Sequence, residues 1–507
     1  MNFPVWELEM GTPLLIAIVA ILHVYVSHFA IGGGLFLVVM EHFANRKDDR
    51  HLRNYLITHS RFFALVTLVF GAISGVGIWF VIGLSSPAAT SSLIHLFVWA
   101  WAIEWALFIV EIAAAIVYYM TWDRVSRRTH LAVGWVYFIA AFLSLVVING
   151  ILAFMLTPGE WLASGNFWDA FFNPTYWPST LARTAICIGL AGIYALVTGV
   201  FVKHATTKAR IIRLAGLWAL AGTVLAVPAL YWYHGLMPAG AAELFAGGMP
   251  AAALAARVLV WGGIALAVIL LAPIIFPKNF GPGSAITFAM VALTLFGASE
   301  WIRESVRKPW IIVDYMYGNS LRPAEAEAVS TGDGILANAV WVQERPAAAT
   351  TATGREVFRL ACRSCHTLDG YRGLTDRLGG LDEDYIYESV ARLEHMSGVM
   401  PAFPGSDVER RALAKYLVLE SGTSLPMLDG AEVFSKRCGF CHSQSGFRAL
   451  DGSLEGYAHD ELVELFAELG DMVEEMPPWS GTEDEARMLA DFIQSWYAVD
   501  TEDEEES

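Results

Sequence analysis

The sequence predicts an all-α protein in two parts: an eight-helix transmembrane bundle, then two small helical domains in tandem. Composition points to the first part. Of 507 residues, 55% are hydrophobic and only 16% are charged. The mean hydropathy is +0.48, the balance of a chain that lies mostly in a bilayer. Eight apolar stretches are long enough to cross one, near 12–41, 59–83, 93–121, 129–156, 180–202, 211–235, 253–276 and 284–304. A repeat points to the second part. Gly354-Arg-Glu-Val-Phe before Cys362 matches Gly430-Ala-Glu-Val-Phe before Cys438, an offset of 76 residues (362 to 438). The same offset joins His366 to His442, Met400 to Met476 and Glu409 to Glu485. Five landmarks in one register mark an internal duplication.

The first apolar stretch is longer than a secretory leader and lacks its basic start and small-residue cleavage site, so it reads as a permanent helix. Loop charge orients the rest. Arg46, Lys47, Arg50 and Arg53 crowd the first loop, Arg124, Arg127 and Arg128 the third, and Lys203, Lys208 and Arg210 the fifth. The second, fourth and sixth loops (84–92, 157–179, 236–252) contain no Lys or Arg. Odd loops are therefore expected in the cytoplasm and both termini outside. That places a multi-pass chain in a bacterial inner membrane, with the duplicated domains on the periplasmic face. Residues 311–353, rich in turn signals and ending in a run of Ala and Thr, read as a linker. The expected domains are the bundle 1–310, the linker 311–353, the repeats 354–425 and 426–500, and an acidic tail 501–507. The net charge of −17 gathers mainly in the repeats and tail. It argues against nucleic acid and suits a basic protein partner.

Each repeat carries Cys-x-x-Cys-His: Cys362, Cys365 and His366, then Cys438, Cys441 and His442. Two thiols three residues apart suit thioether bonds to haem vinyl groups, and the adjacent imidazole reaches the iron. A redox dithiol or half of a zinc site is the other reading of the cysteines. Met400 and Met476 occupy equivalent positions, each before a Pro. A thioether there would be a sixth ligand that raises the haem potential. His395 and Met396 compete for that position in the first repeat, and Met472 in the second. Amphipathic stretches, Glu409–Glu420 and Glu485–Tyr497, close the two repeats. Both resemble class I cytochrome c domains, which implies two covalent haems c, on the outer face that loop charge independently selects. The fifth cysteine, Cys187, sits in an apolar helix and reads as a core residue.

Ionisable side chains at membrane depth mark function by default. They are His23 and His28 in the first span, His95, Glu104 and Glu111 in the third, His234 at the end of the sixth, Arg257 in the seventh, and Glu300, Arg303 and Glu304 in the eighth. Up to Trp310 their order resembles subunit I of the cytochrome bd family of quinol oxidases. The likeness rests on His23 ahead of Met40-Glu41, the Gly-rich Phe70–Gly77, Ala102-Ile-Glu104 with Glu111 and Trp122-Asp-Arg124, Asn149-Gly150 before Pro158-Gly159, and Arg307-Lys-Pro-Trp310. The resemblance implies His23 as a haem ligand, Glu104 and Glu111 as ligand or proton-carrying groups, and Arg257 as the partner of a haem propionate. It also implies one or more non-covalent haems b or d in the bundle and a second membrane subunit.

The departures are specific. The family's low-spin haem takes a His from the fifth helix and a Met from the seventh, but Leu181–Gly199 has no His and Leu259 stands at the Met position. The family's late carboxylate falls on Gly297, with Glu300 one turn away. The quinol loop is reduced to 236–252. The expected function is a membrane oxidoreductase in which c haems, supplied by a soluble or membrane-bound c-type cytochrome, exchange electrons with a haem at His23 and reduce oxygen or another small oxidant. The alternatives are a haem-poor anchor and c-type relay subunit of a larger respiratory complex, or electron transfer from quinol to cytochrome c.

Overall fold

A helix that crosses lipid must satisfy its backbone internally, and the eight apolar stretches do so in the computed structural model. It describes residues 6–342, 348–396, 399–422, 427–473 and 475–497; the acidic tail 501–507 lies outside them. The spans are α1 (Thr12–Lys47), α2 (Arg50–Ser85), α3 (Val98–Met120), α4 (Arg127–Phe154), α5 (Tyr176–Gly199), α6 (Ala205–Gly235), α7 (Pro250–Ile275) and α8 (Pro282–Ser305). Local chemistry sets their starts. Pro occupies the first turn of α1, α7 and α8, where its missing N–H costs nothing. Asp49 caps α2 through Leu52 N at 2.9 Å, and Ser126 caps α4 through Thr129 N at 3.1 Å. One boundary differs from expectation. The third span was expected from 93, but Pro87–Leu96 forms a separate short helix that breaks at Phe97 (φ −116°, ψ 30°). His95 therefore lies outside the third span.

Small residues let the helices close on one another. A Cβ on Gly32 of α1 would fall 1.8 Å from the carbonyl oxygen of Cys187 in α5. Between α5 and α6, a Cβ on Gly222 would lie 2.2 Å from Gly189 N, and one on Gly192 2.3 Å from Ala219 N. Cys187 itself is buried in this core, as expected.

After α8 the chain makes a hairpin of β1 (Trp310–Ile312) and β2 (Met316–Tyr317), the sole strands among the described residues. The linker is ordered where described. Its segment Gly334–Asn338 is held by the buried Glu409, which accepts from Ile335 N at 2.9 Å and Leu336 N at 2.8 Å. The first repeat is built on α9 (Thr351–Ala361), α10 (Glu383–Ala391) and α11 (Asp407–Ser421). The second uses Gly430–Val433 continuing through a wider turn Phe434–Cys438, then α12 (His459–Met472) and α13 (Glu483–Ser495).

The duplication persists in packing. A Cβ on Gly354 would meet Ala412 O at 2.0 Å, and one on Gly430 would meet Met488 O at the same 2.0 Å. Phe358 pairs with Tyr416 at 5.9 Å, as Phe434 does with Phe492 at 5.8 Å. Capping boxes Ser406/Glu409 and Thr482/Glu485 open the two closing helices.

The repeats pack on each other and on the bundle. Tyr385 donates to Arg437 O at 2.6 Å, Ser480 to Asp382 at 2.7 Å, and Arg448 to His395 O at 2.7 Å. Near the N-terminus, Glu7 lies 3.6 Å from both Arg359 and Arg363. Phe447 of the second repeat sits against Gly247 and Gly248, between α6 and α7.

Candidate functional site

In both repeats the motif closes one tight turn: His366 N donates to Cys362 O, and His442 N to Cys438 O, at 2.9 Å each. The histidines are oriented identically. His366 Nδ1 lies 3.1 Å from Arg372 O, and His442 Nδ1 lies 3.3 Å from Arg448 O. A carbonyl can only accept, so Nδ1 carries the proton and Nε2 is left for a metal. Arg372 and Arg448 reach that position with φ of 55° and 47°, a strained choice for a side chain with a Cβ. Burial lowers His366 to about 4, so the ring is neutral. Burial pushes the thiols of Cys362 and Cys438 up to about 12. A redox dithiol needs the reverse shift. The donor set fits a covalently held haem instead.

The two motifs share one cavity of about 1620 Å³, which both repeats and the bundle line. Pockets for single drug-sized ligands run to about 1,000 Å³, so there is room for more than one small ligand. Met396 and Met400 both line it. His395 is about half exposed, its ring 3.7 Å from Glu394. Met476 is half-buried and Met472 is exposed. The bundle contributes the turn after α6, Arg257 and Trp261 of α7, Trp301 of α8, and Lys308 and Gly318 of the hairpin segment. A Cβ on Gly318 would lie 3.2 Å from Cys365 Sγ. Val399, beside Met400, packs into the apolar cluster of Ala256, Ile302 and Val306. The first repeat thus opens its motif onto the bundle.

Within the bundle, His23 and His28 face opposite ways. His23 Nδ1 lies 3.1 Å from Ser74 Oγ, and its ring rests where a Cβ on Gly75 would sit at 3.3 Å. That arrangement fits a one-sided iron ligand through Nε2. Glu104 and Glu111 lie on one face of α3, as expected, and meet α4. Ser144 donates to Glu104 at 3.2 Å, and the Tyr137 hydroxyl lies 3.2 Å from Glu111 and 2.9 Å from Ala30 O. The cavity beside Glu111 is about 30 Å³, the size of one water.

Two clusters escaped the sequence reading. At the far end of the same α3–α4 seam, Glu41 accepts from Tyr118 at 2.8 Å and pairs with His130 at 2.9 Å, all buried. Beneath the repeats, Arg183 bridges His28 at 3.3 Å and Glu300 at 3.0 Å, and Arg303 lies 3.1 Å from Glu300. Glu300 is therefore committed to two guanidiniums rather than free as an iron ligand. Gly297 is filled by the Tyr25 hydroxyl, 2.3 Å from where its Cβ would be. Neither position that the resemblance implies for a late-helix carboxylate ligand of a high-spin haem, Gly297 or Glu300, therefore offers an unpaired carboxylate. The signal for Arg183 was present, since a guanidinium in an apolar span needs a buried anion.

A family profile described as cytochrome bd terminal oxidase subunit I matches residues 13–239. A second, cytochrome c oxidase cbb3-type subunit III, matches 349–417 and again 426–493. Among solved structures, the bd oxidase from Geobacillus thermodenitrificans is similar at a TM-score of 0.50 and 16% identity, covering 59% of this chain and 87% of its own. That likeness speaks for the fold. No curated protein sequence matches the chain. Both matched families imply haem. The chain therefore joins a cytochrome bd subunit I domain to two cytochrome c domains, and it is a multi-pass membrane protein of respiratory electron transfer.

Proposed function

We propose that this is a bd-type oxidoreductase subunit in which two covalent c haems exchange electrons with a single haem site in the bundle, for reduction of oxygen or another small oxidant. The repeats lie on the periplasmic face and accept electrons from a basic c-type cytochrome. The observation that carries this reading is the seating of the first repeat, with Gly318 against Cys365 and Val399 in the apolar cluster at the end of α7 and α8. Electron exchange falls steeply with distance, and this contact brings a motif cysteine of the first repeat directly against the bundle.

Haem supplies one-electron chemistry at each site; the residues hold and orient it. Cys362, Cys365, Cys438 and Cys441 would carry the thioethers. His366 and His442 would ligate through Nε2, and Met400 and Met476 would supply the thioether ligands. His23, oriented by Ser74, would hold the bundle haem through Nε2. Glu104 and Glu111, positioned by Ser144 and Tyr137, move protons towards that site. A pyridine haemochrome of the purified chain tests the reading. Signals for c plus b or d are expected, and c alone would overturn the bundle haem.

The α5–α6 backbone contact and the Arg183 cluster favour a second reading. In it the bundle is a haem-poor anchor, in contact with a second membrane subunit, and the c haems only relay. The same spectrum separates the two.

A further inference from the structure

The cavity between the repeats and the bundle is lined by four cations, Arg257, Lys308, Arg372 and Arg377, and by no carboxylate among the described residues. In a chain with 50 acidic and 33 basic side chains, that sorting favours an anionic occupant. The four differ in what already satisfies them. Lys308 lies 3.5 Å from Glu304, and Arg372 lies over the ring of Tyr371 at 5.3 Å. Arg257 joins none of the ion pairs among the described residues. It stands seven residues into α7 from Pro250, about 10 Å along the helix at about 1.5 Å per residue. Arg257 is exposed and lines the cavity, so its guanidinium is open to an anion that enters there. The described residues supply none.

We infer that Arg257 holds a propionate carboxylate of a c haem attached to the repeats, across the boundary between bundle and c module. This rests on the covalent haem attachment proposed above. Arg257 lines the same cavity as Cys362 and His366 of the first repeat and Cys441 and His442 of the second, and Phe447 packs against Gly247 and Gly248 just before the helix that carries Arg257. Haem propionates are the anions this enclosure brings with its own cofactors. The family resemblance offers Arg257 to a bilayer haem, but the side chain lines the space that holds the c motifs. A lipid phosphate from the outer leaflet would satisfy the same chemistry from another source.

The full chain with Arg257→Gln, purified in neutral detergent, is titrated redox-spectroscopically beside wild type and Arg257→Lys. Losing a cation beside a haem favours its ferric form. One c haem should shift its reduction equilibrium about tenfold, a fall of about 59 mV for one electron, while the other stays put. Arg257→Lys should recover most of the shift, and haem staining after denaturation should be equal in all three. Unchanged c potentials, or loss of a non-covalent haem with c potentials intact, would overturn the inference. A shift that appears only when anionic lipid is added would do the same and assign Arg257 to lipid phosphate. A wild-type chain with no haem on the denaturing gel would instead overturn the proposed function, and this inference with it.

Discussion

Met396 and Met400 line the same cavity wall, so only substitution separates them. With Met400 as sixth ligand, Met400→Ala should keep its haem attached, lose the thioether-to-iron absorption and lower that haem's potential, whereas Met396→Ala should not. Met476→Ala should do the same to the second haem. Optical spectra and redox titration check both, and an unchanged spectrum in Met400→Ala moves the ligand to Met396. His23 is the matching test in the bundle. His23→Ala should remove the non-covalent haem, and oxidant-reducing activity with it, while both c haems remain on a denaturing gel. At this scale the duplicated motifs were legible because Cys-x-x-Cys-His recurs at one constant offset. The Nδ1 contacts to Arg372 O and Arg448 O were not, since they depend on a left-handed residue six positions on.

The helices repay the same comparison. Tyr118 and His130, Glu111 and Tyr137, and Glu104 and Ser144 face each other along α3 and α4, successive members standing seven positions apart on each helix. That period was readable in α3, where the two carboxylates announce it, but not in α4, where Tyr137 and Ser144 look like ordinary span residues. The break at Ser86–Pro87 was readable too, since Pro favours a helix start, yet hydropathy alone ran the third span through His95. Arg183 is readable as a guanidinium in an apolar span, but its partners His28 and Glu300 lie on other helices. Breaking a buried ion pair costs about 3–5 kcal/mol, so Arg183→Leu should lower the unfolding midpoint markedly by leaving Glu300 less compensated. Gly222→Leu should cost about 3 kcal/mol or more, because its side chain would enter the α5 backbone. Both are measured by thermal unfolding in detergent, and a wild-type midpoint in Gly222→Leu would mean that α5 and α6 stand apart. In the first repeat, Glu409→Ala removes the acceptor for Ile335, Leu336 and Ser406. Charged hydrogen bonds are worth about 1.5–3 kcal/mol each. Limited proteolysis should then cut the linker near 332–342 while leaving the second repeat intact.

For the whole molecule, the proposed orientation rests on loop charge, because that asymmetry governs insertion. A thiol-labelling scan should find 84–92 accessible from outside and 122–130 only after permeabilisation; the opposite pattern would invert the chain. How the repeats sit on the bundle was not written there. Glu7, Phe447 and Val399 make that interface, and each looks unremarkable without its neighbour. The shared cavity also bears on biogenesis. Cys362, Cys365 and Cys441 line a space walled by both repeats and the bundle, so with the covalent haems proposed above an attaching enzyme would need all three before those walls meet. Assembly would then run in one direction: insertion of the eight helices, loading of each repeat while it is still tethered only by the linker, and docking last. A cell unable to load haem should therefore accumulate a chain whose bundle is intact and whose repeats are loose, ready for proteases. Cofactor supply would then decide how much finished protein survives.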